Sequence, residues 1–146
     1  MTNKVCIVAG KRIPFMRSST NYMGVPLREL IKPAMDSLIK ELQLEGKEVG
    51  EVAMGAVNKH AYDFALAREI VMDSKLAPTT PATDLQKACG TSLETVVMLG
   101  NKIALGQIDC AIAGGVDTNS DVPIEFKKKF SDRLLRLSAA KDLGSR

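Results

Sequence analysis

The chain of 146 residues has no tryptophan, only 4% aromatic residues and a single histidine, His60. Few aromatics, a net charge of only +3 and no RNA- or DNA-binding motif argue against a nucleic-acid-binding protein. No apolar run approaches the length that a membrane-spanning helix needs, so we expect no membrane insertion. The N-terminus carries neither a signal peptide nor an Arg/Ser-rich presequence, and we therefore expect a cytoplasmic protein.

Cysteine is also scarce, and its distribution argues against a disulfide scaffold. There are three cysteines, an odd number, and two of them, Cys6 and Cys110, lie inside apolar runs typical of strands. This pattern favours a reducing compartment. With 45% hydrophobic and 25% charged residues, the composition is that of an ordinary soluble globular protein of about one domain.

Short apolar runs, some ending in glycine, alternate with amphipathic helical patterns along the chain. This alternation predicts an α/β fold with a mainly parallel sheet covered by helices on both faces. The predicted strands are 4–10, 49–57, 83–88 and 109–116, and the predicted helices are 27–42, 65–75 and 90–107.

Three local features refine this prediction. The strand 83–88 is polar for a central strand, so we expect it at an edge or an interface. Pro33 lies inside the first helical pattern, which predicts a kink or a late start. In the helix 90–107 the apolar residues share one face, and they are Leu93, Val96, Val97, Gly100, Ile103 and Ala104.

The C-terminal part of the chain differs from the rest. Residues 120–146 are polar and basic, with a weak helical pattern through Phe126, Phe130, Leu134 and Leu137. We interpret residues 1–119 as one domain and 120–146 as the beginning of an excursion from it. The sheet is therefore expected to be incomplete at its last strand, with an unpaired edge.

Cys89 is the residue with the clearest chemical signal. It lies between a short extended stretch and a strongly helical one, where backbone N–H groups and the helix dipole stabilise a thiolate. The alternative is a small buried residue that fills a tight turn. A nucleophilic thiol also needs a base, usually a histidine. The one histidine, His60, lies in a predicted loop.

Five segments resemble, in order and in spacing, the N-terminal part of the thiolases, the acyl-CoA acetyl- and acyltransferases. They include an opening strand with an Arg-x-Pro-Phe turn, a Cys-Gly-Thr-Ser segment where the family usually has Cys-Gly-Ser-Gly, and Ala-Gly-Gly-Val-Asp where it has Ala-Gly-Gly-x-Glu. The segments are 5–15, 52–57, 88–93, 113–117 and 120–124.

The resemblance implies a thiolase-like half with three layers, α/β/α, and a nucleophilic role for Cys89. The implied reaction is 3-ketoacyl-CoA cleavage or acetyl-CoA condensation through an acyl-thioester intermediate, as in fatty acid metabolism. Acyl-CoA and CoA would be substrates, with no further cofactor and no metal. It also implies a homo-oligomer, a dimer or tetramer. Residues 120–146 would begin the loop domain.

The chain departs from the family pattern in several places. Ser92 replaces a glycine, so the backbone there approaches a substrate less freely. Asp117 replaces a glutamate and has a shorter reach. The second half of the family, with its Gly-His-Pro histidine, Asn-Glu-x-Phe segment and second cysteine, has no counterpart here. We therefore expect negligible turnover from this chain alone.

Two other readings remain open. One is a ketosynthase-like condensing enzyme that uses carrier-protein thioesters, and the other is a non-catalytic module that self-associates through the strand 83–88. Of the remaining polar residues, we interpret His60 as a solvated loop residue and Arg68 as structural. Lys127–Lys129 either contact CoA phosphates or form a solvated helix face, the reading we favour.

Overall fold

The computed structural model describes residues 3–139, which form an open parallel sheet between helices. The sheet has three strands in the order β2-β1-β3, so the predicted α/β class is confirmed and the predicted edge position of the polar strand is correct. The strands are β1 Glu51–Met54, β2 Ala82–Asp84 and β3 Ala111–Ala113; the helices are α1 Leu27–Glu41, α2 Leu66–Asp73, α3 Thr91–Ala104 and α4 Lys128–Ala139, with a 3-10 turn at Ala61–Asp63.

The side chains of the central strand β1 contact a different helix layer on each face of the sheet. Successive side chains of a strand point to opposite faces of the sheet. Val52 and Met54 belong to the apolar core formed with α1 and α2. Glu51 points to the opposite face, where it is hydrogen-bonded to Lys102 of α3. The helices therefore form one layer on each side of the sheet, as the resemblance implied.

Helix α1 supplies much of the core. Pro26 precedes its first residue and its carbonyl accepts a hydrogen bond from the Leu30 N–H, so the helix starts where the proline already has a compatible φ. The predicted late start is wrong, because the helix runs from Leu27 without interruption through Pro33. Its buried residues recur at helical spacing and are Leu27, Leu30, Ala34, Met35 and Ile39.

Helix α3 presents its apolar face to solvent. Its buried residues are Thr91, Thr95 and Leu99, which recur every four positions along one side. Leu93 on the opposite side is 70% exposed and Val97 is 47% exposed. The apolar residues share a face, as predicted, but that face does not contact the sheet.

The predicted strand 4–10 is absent from the sheet, and this prediction is wrong. It pairs with neither of the outer strands, β2 and β3. The segment instead follows the C-terminal end of α3, where the Asn3 N–H donates to the Ala104 carbonyl at 3.0 Å. Ile7 and Val8 are 83% and 80% exposed, so its apolar residues extend the exposed surface of α3.

The C-terminal part adds a helix that buries nothing. Residues 120–127 are irregular and α4 follows, with none of its residues buried. Residues 140–146 of the predicted segment 120–146 lie outside the described residues. Among residues 3–139, no helix has both the length and the apolar character needed to cross a membrane.

Candidate active site

Cys89 lies in the turn between β2 and α3, two residues before the helix begins at Thr91. Gly90 occupies the N-cap position and makes no side-chain capping bond. Cys89 is exposed. The alternative prediction, that Cys89 is a buried residue that fills the turn, is therefore wrong. The chemical role of Cys89 stays a prediction.

The turn around Cys89 is held in a strained conformation. Ala88 has a φ of +45°, in the left-handed region that a residue with a Cβ disfavours by about 1–2 kcal/mol. The Thr91 hydroxyl accepts from the Lys87 N–H at 2.8 Å and donates to the Ala88 carbonyl at 2.7 Å. The Gly90 N–H also donates to the Lys87 carbonyl. These bonds fix the backbone on both sides of the thiol.

Cys89 lines an open cleft of about 390 Å³ at the carboxyl end of the sheet. The other walls are the loops that follow β1 and β3, residues 55–58 and 115–119. A larger cleft of about 570 Å³ shares residues 115–119 and continues toward residues 11–16. Ligands of parallel α/β sheets bind at this end of the strands.

Two glycines allow the first turn of α3 to lie against the ends of β1 and β3. A Cβ on Gly55 would come within 2.1 Å of the Leu85 carbonyl oxygen and 2.2 Å of the Thr91 Cγ2. A Cβ on Gly115 would come within 2.3 Å of the Ser92 hydroxyl. The serine that replaces the family's glycine is thus accommodated by the absence of a side chain opposite it.

Asp117 joins the two loops that face Cys89 across the cleft. Its carboxylate accepts hydrogen bonds from the N–H groups of Val57 at 2.7 Å and Asn58 at 3.3 Å, and also from the Thr118 N–H at 3.1 Å. The shorter side chain therefore reaches the neighbouring loop. Sequence reasoning had noted Asp117 only as a departure from glutamate and had not identified this role.

A buried ion pair attaches α3 to the sheet. The Glu51 side chain is 7% exposed and contacts Lys102 of α3, which is 35% exposed, and Thr83 of β2. Burial raises the pKa of Glu51, but hydrogen bonds from Lys102 and Thr83 outweigh it and hold the pKa below its ordinary 4.5. This ion pair thus attaches α3 to the sheet together with the buried residues Thr91, Thr95 and Leu99.

His60 lies outside the cleft that contains Cys89, and its side chain is only 22% exposed, so the prediction of a solvated residue is wrong. Its Nε2 is 3.3 Å from the Asp121 Oδ1, an ion-pair distance without hydrogen-bond geometry, and its ring stacks on Tyr62 at 4.9 Å. Asp63 next to it is fully buried, with Arg28 as a distant partner at 4.0 Å. Burial raises the pKa of Asp63, and Arg28 and His60 oppose that rise only in part.

The other predicted polar residues also lie away from Cys89. Arg68 donates to the carbonyls of Pro78 at 2.8 Å and Thr80 at 3.1 Å, which holds the turn before β2 and fits the predicted structural role. Lys128 pairs with Asp132 at 2.8 Å on the exposed surface of α4. None of the three lysines 127–129 lines the cleft.

The described part of the cleft contains Cys89, the predicted nucleophile, but no histidine or lysine side chain. Among its lining residues only Cys89 and Asp117 carry titratable side chains, and Asp117 already accepts three backbone hydrogen bonds. A thiol in this position can attack a thioester when a base from elsewhere removes its proton.

Comparison with known proteins places the chain in a family. A family profile described as "Thiolase, N-terminal domain" matches residues 5–143. The chain is 34% identical over 143 residues to a 3-ketoacyl-CoA thiolase of Aeromonas salmonicida and 36% identical to one of Vibrio cholerae. Each match covers 98% of this chain but 33% of the relative, so the chain spans about a third of the length of these relatives.

The fold agrees with a solved structure. The crystal structure of the Bacillus anthracis acetyl-CoA acetyltransferase superimposes with a TM-score of 0.71 at 23% sequence identity. The match covers 77% of this chain and 28% of that one. At this identity the similarity establishes a common fold.

Proposed function

Because the chain belongs to the thiolase family, we propose that it is the N-terminal part of an enzyme in which Cys89 takes an acyl group from an acyl-CoA. The observation that carries this proposal is an exposed thiol in a fixed turn, at the carboxyl end of a parallel sheet and open to a cleft. The similarity to 3-ketoacyl-CoA thiolases favours CoA thioesters over carrier-protein thioesters.

In the first step the Cys89 thiolate attacks an acyl carbonyl. With a 3-ketoacyl-CoA the carbon–carbon bond breaks, the acyl group forms a thioester with Cys89, and acetyl-CoA leaves as its enolate, which then takes up a proton. With acetyl-CoA the leaving group is the CoA thiolate. A covalent intermediate of this kind gives ping-pong kinetics.

In the second step the Cys89 thioester passes its acyl group on. The acceptor is the CoA thiolate in the degradative direction and the acetyl-CoA carbanion in the synthetic one. The Gly90 and Thr91 N–H groups already donate to the carbonyls of Lys87 and Ala88. We therefore take the Cys89 N–H as the candidate donor to the oxyanion that forms when the acyl carbonyl is attacked. A second donor would come from the rest of the enzyme.

The surface next to the site is consistent with a missing half. The exposed apolar residues of α3 and the segment 5–8 are contiguous, since Val5 lies beside Gly100. Contiguous exposed apolar patches mark interfaces. We infer that a second half covers this face and supplies the base, and that residues 120–146 begin the loop domain between the halves.

The first test is an assay of the chain alone. With acetoacetyl-CoA and CoA we expect no thiolysis above that of Cys89→Ala, because removing members of a catalytic unit removes most of the rate. Adding the C-terminal two thirds of the Vibrio cholerae relative as a separate chain should produce thiolysis that depends on Cys89. Ordinary enzyme rates from the chain alone would contradict the proposal.

The edge of the sheet supports a second role, self-association. Strand β2 is an outer strand of the sheet and only partly buried, so its backbone can pair with another copy. This role is compatible with the dimer or tetramer implied by the resemblance. Light scattering distinguishes it, since we expect a dimer whose mass falls to that of a monomer in Ala82→Pro, where the N–H points away from β1.

A further inference from the structure

Two asparagines join the loops that face Cys89 across the cleft. Asn58 belongs to the loop after β1 and Asn119 to the loop after β3, and both line the cleft of about 390 Å³ that contains Cys89. The Asn58 Nδ2 donates a hydrogen bond to the Asn119 Oδ1 at 3.3 Å. Asn119 also lines the adjoining cleft of about 570 Å³, so it lies at the border of the two clefts.

The bond between the two side chains leaves hydrogen-bonding groups of both open. An asparagine side chain carries one carbonyl oxygen and one NH2 group. The bond occupies the Asn119 oxygen and one N–H of Asn58. Within residues 3–139, neither the Asn119 NH2 group nor the Asn58 oxygen makes another hydrogen bond. The pair therefore offers the cleft a donor from Asn119 and an acceptor from Asn58.

The backbone on both sides of the pair is held in place. The Asp117 carboxylate accepts from the Asn58 N–H at 3.3 Å and from the Val57 N–H at 2.7 Å. Next to Asn119, the Ser120 hydroxyl oxygen accepts from the Ser19 N–H at 2.9 Å. Groups that are already fixed lose less conformational freedom when a ligand binds. The asparagine pair therefore has the preorganisation expected of a binding site.

We infer that the Asn58–Asn119 pair binds a secondary amide of the acyl-CoA substrate. The amide N–H donates to the Asn58 oxygen, and the amide carbonyl accepts from the Asn119 NH2 group. In the pantetheine arm of CoA, two methylene groups separate the sulfur from the first amide nitrogen, so a thioester held at Cys89 brings an amide into the same cleft. This inference rests on the proposed acyl transfer to Cys89 and names the part of the substrate that the cleft recognises.

Other ligands complement only part of the pair. The 3-keto oxygen of a substrate accepts from the Asn119 NH2 group but leaves the Asn58 oxygen without a donor. A carboxylate has the same defect and is also repelled by Asp117, which lines the same cleft. An alkyl chain satisfies neither group. A secondary amide supplies one donor and one acceptor, and so matches both.

The first test compares two uncharged thioesters that differ in the amide. S-acetyl-N-acetylcysteamine carries the first amide of the pantetheine arm, and in S-pentyl thioacetate methylene groups replace it. With either reagent the acetyl group passes to the Cys89 sulfur, and the thiolate that leaves takes up a proton. Peptide mass spectrometry gives the acetylation rates of Cys89 and of Cys110, which is also exposed and corrects for the intrinsic reactivity of each reagent.

We expect Cys89 to show a corrected preference of about fivefold for the reagent with the amide, the effect of a net hydrogen-bond contribution of ordinary size. Equal corrected rates overturn the inference. If Cys89 is still acetylated faster than Cys110 by both reagents, the proposed function stands without it.

A conservative variant tests the donor. Asn119→Asp removes the NH2 group but keeps the oxygen that accepts from Asn58, and it should lower the corrected preference about fivefold. Asn101→Asp makes the same change on the exposed surface of α3, away from both clefts, and should keep the preference within about twofold of the wild type. Equal effects of the two variants overturn the inference. Circular dichroism checks that both are folded.

A second measurement needs no acyl transfer. In a ¹⁵N-labelled chain, the side-chain NH2 signal of Asn119 is the one that Asn119→Asp lacks. Pantetheine, which has both amides but no acyl group, should shift this signal and leave that of Asn101 in place. Such a shift in a chain whose Cys89 is acetylated no faster than Cys110 supports the amide site and contradicts the proposed function. No shift, or equal shifts for Asn119 and Asn101, overturns the inference.

Discussion

The two faces of the sheet differ in what covers them. On one face, α1 and α2 bury a continuous apolar core that includes Leu27, Ile39, Leu66 and Val52. On the other, α3 rests on the strands through threonines, Leu99 and the pair Lys102–Glu51, and its apolar side is exposed. The first face is covered by apolar packing within the described residues, whereas the second leaves apolar side chains of α3 exposed.

This difference explains how the candidate site is exposed in a folded chain. The closed face stabilises the sheet, and the sheet holds the turn that contains Cys89. The open face leaves that turn and the adjoining cleft accessible. The stability of the fold and the accessibility of the Cys89 turn therefore depend on opposite sides of one sheet. Substitutions on the two sides can test this separation.

The largest expected contrast is between two leucines. Leu66→Ala, at a position with 0% exposure, should lower the free energy of unfolding by about 3 kcal/mol through lost burial and a cavity. Leu93→Ala, at 70% exposure on α3, should change it by less than about 0.5 kcal/mol. Urea denaturation measures both. Similar losses would mean that α3 buries its apolar face.

The next effect concerns the polar attachment of α3. Lys102→Met leaves the buried carboxylate of Glu51 without its cation and should cost about 2 kcal/mol, less than a fully buried pair because Lys102 is partly exposed. The double variant with Glu51→Gln should recover part of the loss. If Lys102→Met leaves the denaturation midpoint unchanged, the pair does not hold α3.

The turn before α3 should respond to relief of strain. Ala88→Gly removes the Cβ from a residue at φ +45° and should stabilise the chain by about 0.5–1 kcal/mol. Ala104→Gly at the end of α3 is the control and should be destabilising by about 0.5 kcal/mol. The melting temperatures of the two variants should move in opposite directions, and a fall in both would contradict the strained turn.

The smallest effect is on acid sensitivity. The folded pKa of Glu51 lies below its ordinary 4.5, so its contribution to stability is present above that pH and is lost as pH falls through the folded value. Glu51→Gln should therefore lose less stability than the wild type between about pH 5 and 3. Parallel pH profiles for the two proteins would mean that Glu51 is not stabilised in the fold.

The sequence predicted the helices well because their periodicity is local. α1, α2 and α3 all lie within their predicted ranges, and Cys89 is in the predicted strand-to-helix turn. The same periodicity grouped Leu93, Val96 and Val97 on one side of α3. It could not indicate which layer that side faces, because periodicity groups residues on one side of a helix without showing whether that side contacts the sheet.

The remaining features depend on contacts distant in sequence. The segment 4–10 has the composition of a buried strand, but it lies beside α3 and pairs with none of the three strands. Asp117 reaches Val57 across 60 residues, and no local pattern contains that pairing. The need for glycine at position 115 arises only from the approach of Ser92. The sequence signal for this close approach was the glycine pair 114–115 that follows β3.

The reactivity of Cys89 can be compared with that of two internal controls, because Cys6 and Cys110 are also exposed. The three cysteines lie in different tryptic peptides, 5–11, 88–102 and 103–127. After incubation with acetyl-CoA, mass spectrometry of these peptides gives three acetylation rates from one sample. We expect Cys89 to be acetylated about fivefold faster or more, because cysteines at helix N-termini are in general more reactive nucleophiles than cysteines elsewhere. Equal rates, or a rate for Cys89 below the other two, would contradict its assignment as the nucleophile.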